Sequence, residues 1–308
     1  MSESKAAMQA FKSEVAAWMA ENVPSDPGFL LPLTFLEVGT EQQLDFLREW
    51  QHKLWQAGFL GMHWPTEYGG QGADSAYQFI VDKELGRHRA PIIFNTIGLN
   101  WVGPLLLDMG TEAEKSKYIK NILSAEEIWC QGFSEPDHGS DLGAVQTRAV
   151  KEGDEYVVNG SKIWTTHAHN ANRMFALVRT SDEGKKQDGI TFILADVRKT
   201  PGITVKPFLT TGGTDAFSET WFDNARVPQA AITGLFGALA RRISRRKLGA
   251  VPAALGVMWH NPKVLKALFG FSSKADKTWN ACDRQLKSLA HLAAVSMVGC
   301  GACLDFGY

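Results

Sequence analysis

Two short stretches of this 308-residue chain hold residue types that could do chemistry. Residues 129–141 read WCQGFSEPDHGSD, and residues 162–166 read KIWTT. Ser134 and Ser140 offer hydroxyls that can donate to phosphate or ring atoms, and Gly139 lets the main chain come close to a bulky anionic group. Pro136 stiffens the turn between the serines. In the second stretch Trp164 presents an extended apolar face for stacking, with the hydroxyls of Thr165 and Thr166 beside it on a strand. Together these groups suit a flat, phosphate-bearing cofactor. A Ser/Gly/Asp loop is more often only a loop, so composition leaves both readings open.

The elements that must position these groups change character along the chain. Met8, Phe11, Val15 and Trp18 recur at helical spacing, with Lys12 and Glu14 between them, which predicts an amphipathic N-terminal helix rather than a signal peptide. Leu44, Leu47, Leu54 and Ala57 form a second stripe closed by Gly58, and Thr111 with Glu114 has the spacing of a capping box. From Cys130 the pattern turns to strands. Residues 156–158 and 162–166 are expected to pair through an Asn159-Gly160 hairpin turn, with further strands at 173–179 and 190–197. No internal repeat or low-complexity segment is present.

Length argues for more than one domain. Residues 1–233 carry 21 basic and 30 acidic side chains, a net −9, whereas residues 234–308 carry 11 and 3, a net +8. Such opposed halves mark a composition boundary. The run RRISRRK at 241–247 lacks interleaved aromatics, so a solvated helix face is expected and nucleic acid is not. The weakly charged run 288–304 falls short of the roughly 20 residues a membrane span needs and contains His291, so a core helix is expected there. Cys130 and Cys282 read as small buried hydrophobes. No second Cys/His pair has zinc-ligand spacing, so no metal is expected, and the cysteine usage suits a reducing cytoplasm.

SEPDHGSD followed by YVVNGSKIWTT resembles the central β-domain of the acyl-CoA dehydrogenases. WPTEYGGQGAD at 64–74 and NTIGLNWVGPLLLDMGTEAEKSKYI at 95–119 are similar to that family's N-terminal helical domain. ITFILADVRKTPGITVKPF at 190–208 and FDNARVPQAAITG at 222–234 extend the likeness to residues 1–234. The resemblance implies an α+β fold: a helical N-terminal domain over 1–128, then an antiparallel, barrel-like or sandwich β-domain over 129–234. It further implies FAD, contacted by Gln131, Phe133, Ser134, Trp164 and Thr166, and an acyl-CoA substrate met by Ser140 with Gly139 beside it. Electrons would pass to an electron-transfer flavoprotein or similar acceptor, and the chain would form a homo-oligomer. The implied reaction is α,β-dehydrogenation of the thioester. Glu135 and Asp141 lie where the family uses them structurally, so no catalytic base is assigned. His138 replaces the small residue usual before Gly139, and an exposed position is expected for it.

Residues 235–308 differ. They resemble an incomplete all-α segment of the carboxymuconolactone decarboxylase or alkylhydroperoxidase-like kind, and the family's C-terminal catalytic domain is not recognisable there. Cys300 and Cys303 form a CxxC whose thiols share a helix face and could close a disulfide. The peroxidase members' proton-relay glutamate and histidine correspond to Ser288 and Gly307 here, with His291 and Asp305 as the nearest substitutes. A thiol-redox protein and an inactive fusion product therefore stand beside the flavoenzyme as alternatives.

Overall fold

The apolar stripe of the first helix, α1 (Ser2–Asn22), turns inward: Val15 and Met19 are fully buried, and Phe11 packs edge-on against Tyr77 and Phe59. The computed structural model describes residues 2–24, 27–184 and 188–229. The second helix, α2 (Glu41–Gln56), starts where the Thr40 hydroxyl accepts the Gln43 N–H, and it buries Leu47, Trp50 and Leu54. It stops at Gly58, whose φ of 79° is a left-handed conformation that costs glycine little. Asp74 caps α3 (Ser75–Arg87), and a π-helical turn (Gly98–Val102) leads into α4 (Gly103–Met109). The capping box forms as expected at α5 (Glu112–Leu123), Thr111 and Glu114 satisfying each other's backbone N–H.

Seven strands follow: β1 (Trp129–Gly132), β2 (Arg148–Glu152), β3 (Glu155–Thr166), β4 (Arg173–Arg179), β5 (Ile190–Asp196), β6 (Ile203–Phe208) and β7 (Phe217–Pro228). They form one sheet in the order β1-β4-β2-β3-β7-β6, with β5 on the other edge of β4. The all-antiparallel expectation is corrected here. Strand β1 runs parallel to β4, and β2 meets β4 in parallel at the single pair Arg148 and Arg179, so the sheet is mixed. The reason is topological: β1 emerges from the helical region and joins β4 only after the β2–β3 hairpin has intervened.

Strands β4 and β5 each bury five consecutive central residues, nearly all apolar, because both their faces are covered. Phe175, Leu177, Phe192 and Leu194 pack into one core shared with Val15, Trp50, Leu54, Leu106 and Ile119 of the helices. Their neighbours Met174, Ala176, Val178, Ile193 and Ala195 enter a second core with Val158, Phe222 and Val227 inside the curled sheet. Each fully buried aliphatic side chain there contributes roughly 1.5–3 kcal/mol.

The Asn159-Gly160 hairpin is also corrected. Residues 155–166 are one continuous strand, and the β2–β3 turn lies instead at Gly153-Asp154, between the paired residues Glu152 and Glu155. Asn159-Gly160 marks a register shift against β7, where the Asn159 carboxamide receives the Asn224 N–H at 2.8 Å. Gly160 has φ 138°, and a Cβ there would lie 2.7 Å from the Thr147 Cα. We therefore expect Gly160→Ala to cost about 1–3 kcal/mol. A denaturant midpoint equal to the parent's would refute that account.

All expectations for residues 235–308, including the CxxC of Cys300 and Cys303, lie outside the described residues. Cys130 is fully buried, as expected, and burial pushes its thiol well above the ordinary range. No described helix is long and apolar enough to cross a membrane. Among the described residues no cluster of three or more His, Cys, Asp or Glu could hold a metal ion.

Candidate functional site

Tyr156, Val158 and Lys162 share one parity along β3, and the inward face that buries the first two buries the lysine as well. Lys162 has 0 % side-chain exposure. Its Nζ lies 2.7 Å from the Glu135 Oε1 and donates to the Phe133 carbonyl at 3.3 Å. Glu135 also accepts the backbone N–H groups of Gln146 at 2.6 Å and Thr147 at 2.9 Å. Burial opposes the Glu135 charge, but Lys162 and these donors outweigh it and hold the carboxyl below its usual range. Burial draws Lys162 down to about 8 against the pull of Glu135, so both groups stay charged at neutral pH.

This ion pair joins the loop after β1 to the middle of β3. A backbone bond reinforces it, the Ile163 N–H donating to the Ser134 carbonyl at 3.0 Å. The two sequence stretches thus lie side by side, with Gln131, Phe133 and Ser134 on one segment and Trp164 and Thr166 on the other. The Phe133 ring is half-buried and meets Phe175 edge-on at 5.1 Å and Phe192 at 5.9 Å.

A β-bulge aims Trp164. Lys162 pairs with Thr220 and Thr165 with Ser218, so Ile163 and Trp164 together oppose the single residue Glu219. Trp164 adopts φ 58°, an uncommon conformation for a bulky residue, and its side chain leaves the sheet 56 % exposed. Two T-shaped contacts, with Phe208 at 5.1 Å and Phe217 at 5.7 Å, steady the ring. Beside it, the buried Thr165 Oγ1 has no hydrogen-bond partner in the described structure.

Gly139 and Ser140 are exposed on the loop beyond Glu135. A Cβ at Gly139 would meet nothing within 4 Å, so the fold itself makes no demand for glycine there. His138 is half-buried rather than exposed, because its Nε2 lies 2.9 Å from the Gln146 carboxamide nitrogen. The following segment is held by Arg179, which donates to the Gly143 carbonyl at 2.7 Å and the Val145 carbonyl at 2.8 Å. An open cavity of about 560 Å³ lies alongside, lined by residues 143–146 with Arg148, Arg179, Asp182 and Gly184. Arg148 pairs there with Asp182.

These features fit a flavin with an anionic tail. The bulge presents an aromatic surface, the Gly139 position leaves room for a ligand, and the adjoining cavity is polar and partly cationic. Sequence reasoning missed Lys162 as the group that joins the two segments. The signal was present, since a lysine at inward parity demands a buried partner.

Comparison with known proteins places two matches end to end. Residues 7–126 match the family model for the acyl-CoA dehydrogenase N-terminal domain, and residues 130–225 match that for the acyl-CoA dehydrogenase middle domain. The acyl-CoA dehydrogenase IpdE1 of Mycobacterium tuberculosis is 33% identical over 231 residues, which cover 75% of this chain and 59% of the relative. A (2S)-methylsuccinyl-CoA dehydrogenase of Cereibacter sphaeroides is 38% identical over 168 residues, 52% of this chain and 29% of that one. Among solved structures, the ChsE4-ChsE5 complex from Mycobacterium tuberculosis superposes with a TM-score of 0.61 at 26% identity, covering 79% of this chain and 61% of the other. A Tcur3481-Tcur3483 steroid ACAD gives 0.63 at 28%, covering 98% and 77%. The chain spans about three fifths of the length of the IpdE1 relative.

Proposed function

This chain belongs to the acyl-CoA dehydrogenase family, and from that premise we propose that it holds FAD and acts in the α,β-dehydrogenation of an acyl-CoA thioester. One observation carries the reading: the Lys162–Glu135 pair joins the loop after β1 to the bulge that turns Trp164 outward.

In this reading Gln131, Phe133 and Ser134 line one side of the flavin and Trp164 and Thr166 the other. FAD, when bound, supplies the capacity to accept a hydride. Trp164 orients the ring and shields it from water, and the Thr166 hydroxyl donates a hydrogen bond to it. Ser140, with Gly139 beside it, engages the thioester substrate. Glu135 is committed to Lys162 and is not the base. An electron-transfer flavoprotein or similar acceptor, a homo-oligomeric state and a cytoplasmic location complete the proposal. The thiol-redox alternative at Cys300 and Cys303 rests on the sequence alone, on the CxxC spacing and the resemblance of residues 235–308, which lie outside the described residues.

The test is an anaerobic titration of the flavin-loaded chain with a panel of acyl-CoA thioesters. Bleaching of the visible flavin band by one of them is expected. A protein that takes up no flavin from a flavin-sufficient host would end this reading. Trp164→Gly is expected to weaken flavin binding about tenfold, by removing the stacking surface. The same change relieves a strained φ, so the thermal midpoint should hold or rise. Equal flavin affinity in parent and variant would remove Trp164 from the site.

A further inference from the structure

Directly after Thr166 the chain turns through His167, Ala168, His169 and Asn170, and this turn holds a part-buried hydrogen-bond chain that the proposed chemistry does not use. His167 adopts φ 51° and is only 4 % exposed. Its Nε2 lies 2.5 Å from the carbonyl oxygen of Phe35, 132 residues earlier, in the N-terminal helical region. Its Nδ1 lies 3.1 Å from the Asn170 Nδ2, and the same Nδ2 lies 3.0 Å from the His169 Nε2. His169 Nδ1 in turn lies 3.0 Å from the Ser218 hydroxyl. Ser218 is the cross-strand partner of Thr165.

With the Asn170 amide nitrogen facing both rings, the donors and acceptors in this chain agree with one another. An amide nitrogen can only donate, so both histidine nitrogens facing Asn170 accept and both rings are neutral. His167 then carries its proton on Nε2 and donates it to the Phe35 carbonyl, while His169 donates from Nδ1 to Ser218. The chain runs from the N-terminal helical region to the strand opposite Thr165, and it starts at the residue that directly follows Thr166. The His167 N–H adds a backbone anchor, donating to the Ala216 carbonyl at 2.7 Å. The Phe94 ring packs edge-on against the imidazole at 4.9 Å.

We propose that His167 is a positioning residue: by donating to the Phe35 carbonyl it ties the N-terminal region to the end of β3 and sets how Trp164 and Thr166 stand toward the flavin. The proposal rests on the flavin reading above. A structural turn would need none of this, since a small polar residue could cap it. Instead a large ring is buried in a left-handed conformation, with both of its nitrogens committed.

The charged and titratable groups around the imidazole are few. His169 lies on its own turn, and Asp215 approaches from the segment before β7, 4.0 Å from the His169 ring nitrogen. Arg198, from the turn after β5, donates to the carbonyls of His169 and Ala171. Burial lowers His167 to about 4, with the Phe35 bond opposing, His169 adding to the fall and Asp215 opposing it. The neutral ring therefore persists throughout the physiological range.

The experiment uses the full chain labelled with 5-fluorotryptophan, the Trp164 resonance being assigned by its disappearance in Trp164→Phe. His167→Phe keeps the ring and removes the donor, whereas His167→Gln restores a donor near the Nε2 position. At pH 7.5 we expect His167→Phe to shift the Trp164 fluorine resonance and to weaken flavin binding about tenfold. His167→Gln should return both toward the parent values. If the Trp164 resonance and the flavin affinity stay at parent values in His167→Phe, the proposal is overturned. So it is if phenylalanine and glutamine variants are equally impaired, because the ring and not the donor would then matter. The fluorine readout needs no flavin. A shifted resonance in a chain that takes up no flavin would sustain the positioning role and end the flavin reading, and the converse result would separate them the other way.

Discussion

Replacing Lys162 with methionine lowers the stability of the fold by about 3–5 kcal/mol, because it leaves the Glu135 carboxylate buried with its principal countercharge gone. The loss exceeds that of a surface pair because neither group reaches water: the side-chain exposures are 0% and 5%. Glu135 would keep its bonds from the Gln146 and Thr147 N–H groups, and these two bonds cannot replace an ammonium at 2.7 Å. Chemical denaturation should show the full drop at pH 7. A double variant, Lys162→Met with Glu135→Leu, should recover only part of it: the stranded charge is gone, but the Gln146 and Thr147 N–H groups lose their acceptor. A single variant within about 1 kcal/mol of the parent would mean that the pair is not the joint described above.

The same pair sets an acid limit. Glu135 titrates below its unfolded value of 4.5, so its contribution is present above that pH and is lost as pH falls through the lowered folded value. Its removal in Glu135→Leu should flatten the acid side of the stability profile below about pH 4.5.

Asn95→Ala has the second large effect. This side chain is 1 % exposed and makes three hydrogen bonds across the junction between helices and sheet. Its Nδ2 donates to the carbonyls of Ile122 at 3.1 Å and Glu127 at 3.0 Å, and its Oδ1 accepts the Trp129 N–H at 3.1 Å. Alanine takes this partner from the Glu127 carbonyl and the Trp129 N–H, while the Ile122 carbonyl keeps the Gln51 Nε2 at 2.9 Å, and the loss costs about 2–4 kcal/mol after partial relaxation. Because Trp129 opens β1, flavin affinity should fall alongside stability. Asn95→Asp should not rescue, since a carboxylate can still accept from Trp129 but turns negative charge on two carbonyls. A stable Asn95→Asp would show that the junction is held by something other than these bonds. Thermal unfolding of the three proteins, followed by flavin binding, makes the comparison.

Much of the architecture was legible in the residues. The stripe of α1, the Gly58 stop of α2, the Thr111–Glu114 capping box and the strands from Arg173 and Ile190 follow from periodicities and end signals that act over a few residues. The motif-bearing segments and their proximity were legible through the resemblance. What periodicity could not resolve was strand direction and register. Asn159-Gly160 has the composition of a two-residue turn, but with Thr147 on one side and Asn224 on the other it continues an unbroken strand, opposite a bulge of β7 where Asp223 and Asn224 together face Asn159.

Trp164 shows where the division falls. Strict alternation from Tyr156, Val158 and Lys162 would place Trp164 inside the sheet, because side chains along a strand repeat with period two. The bulge opposite Glu219 inserts one residue, reverses the parity and turns Trp164 outward while Thr165 turns in. Residue types and spacing alone thus determined which groups could meet a flat anionic cofactor, because hydroxyls, glycine and indole have that chemistry wherever they stand. Tertiary structure alone decided which of them face outward, which lysine is buried and which carboxylate it neutralises. Register, bulges and charge pairing depend on strands and loops brought together from distant parts of the chain, and no local pattern encodes them.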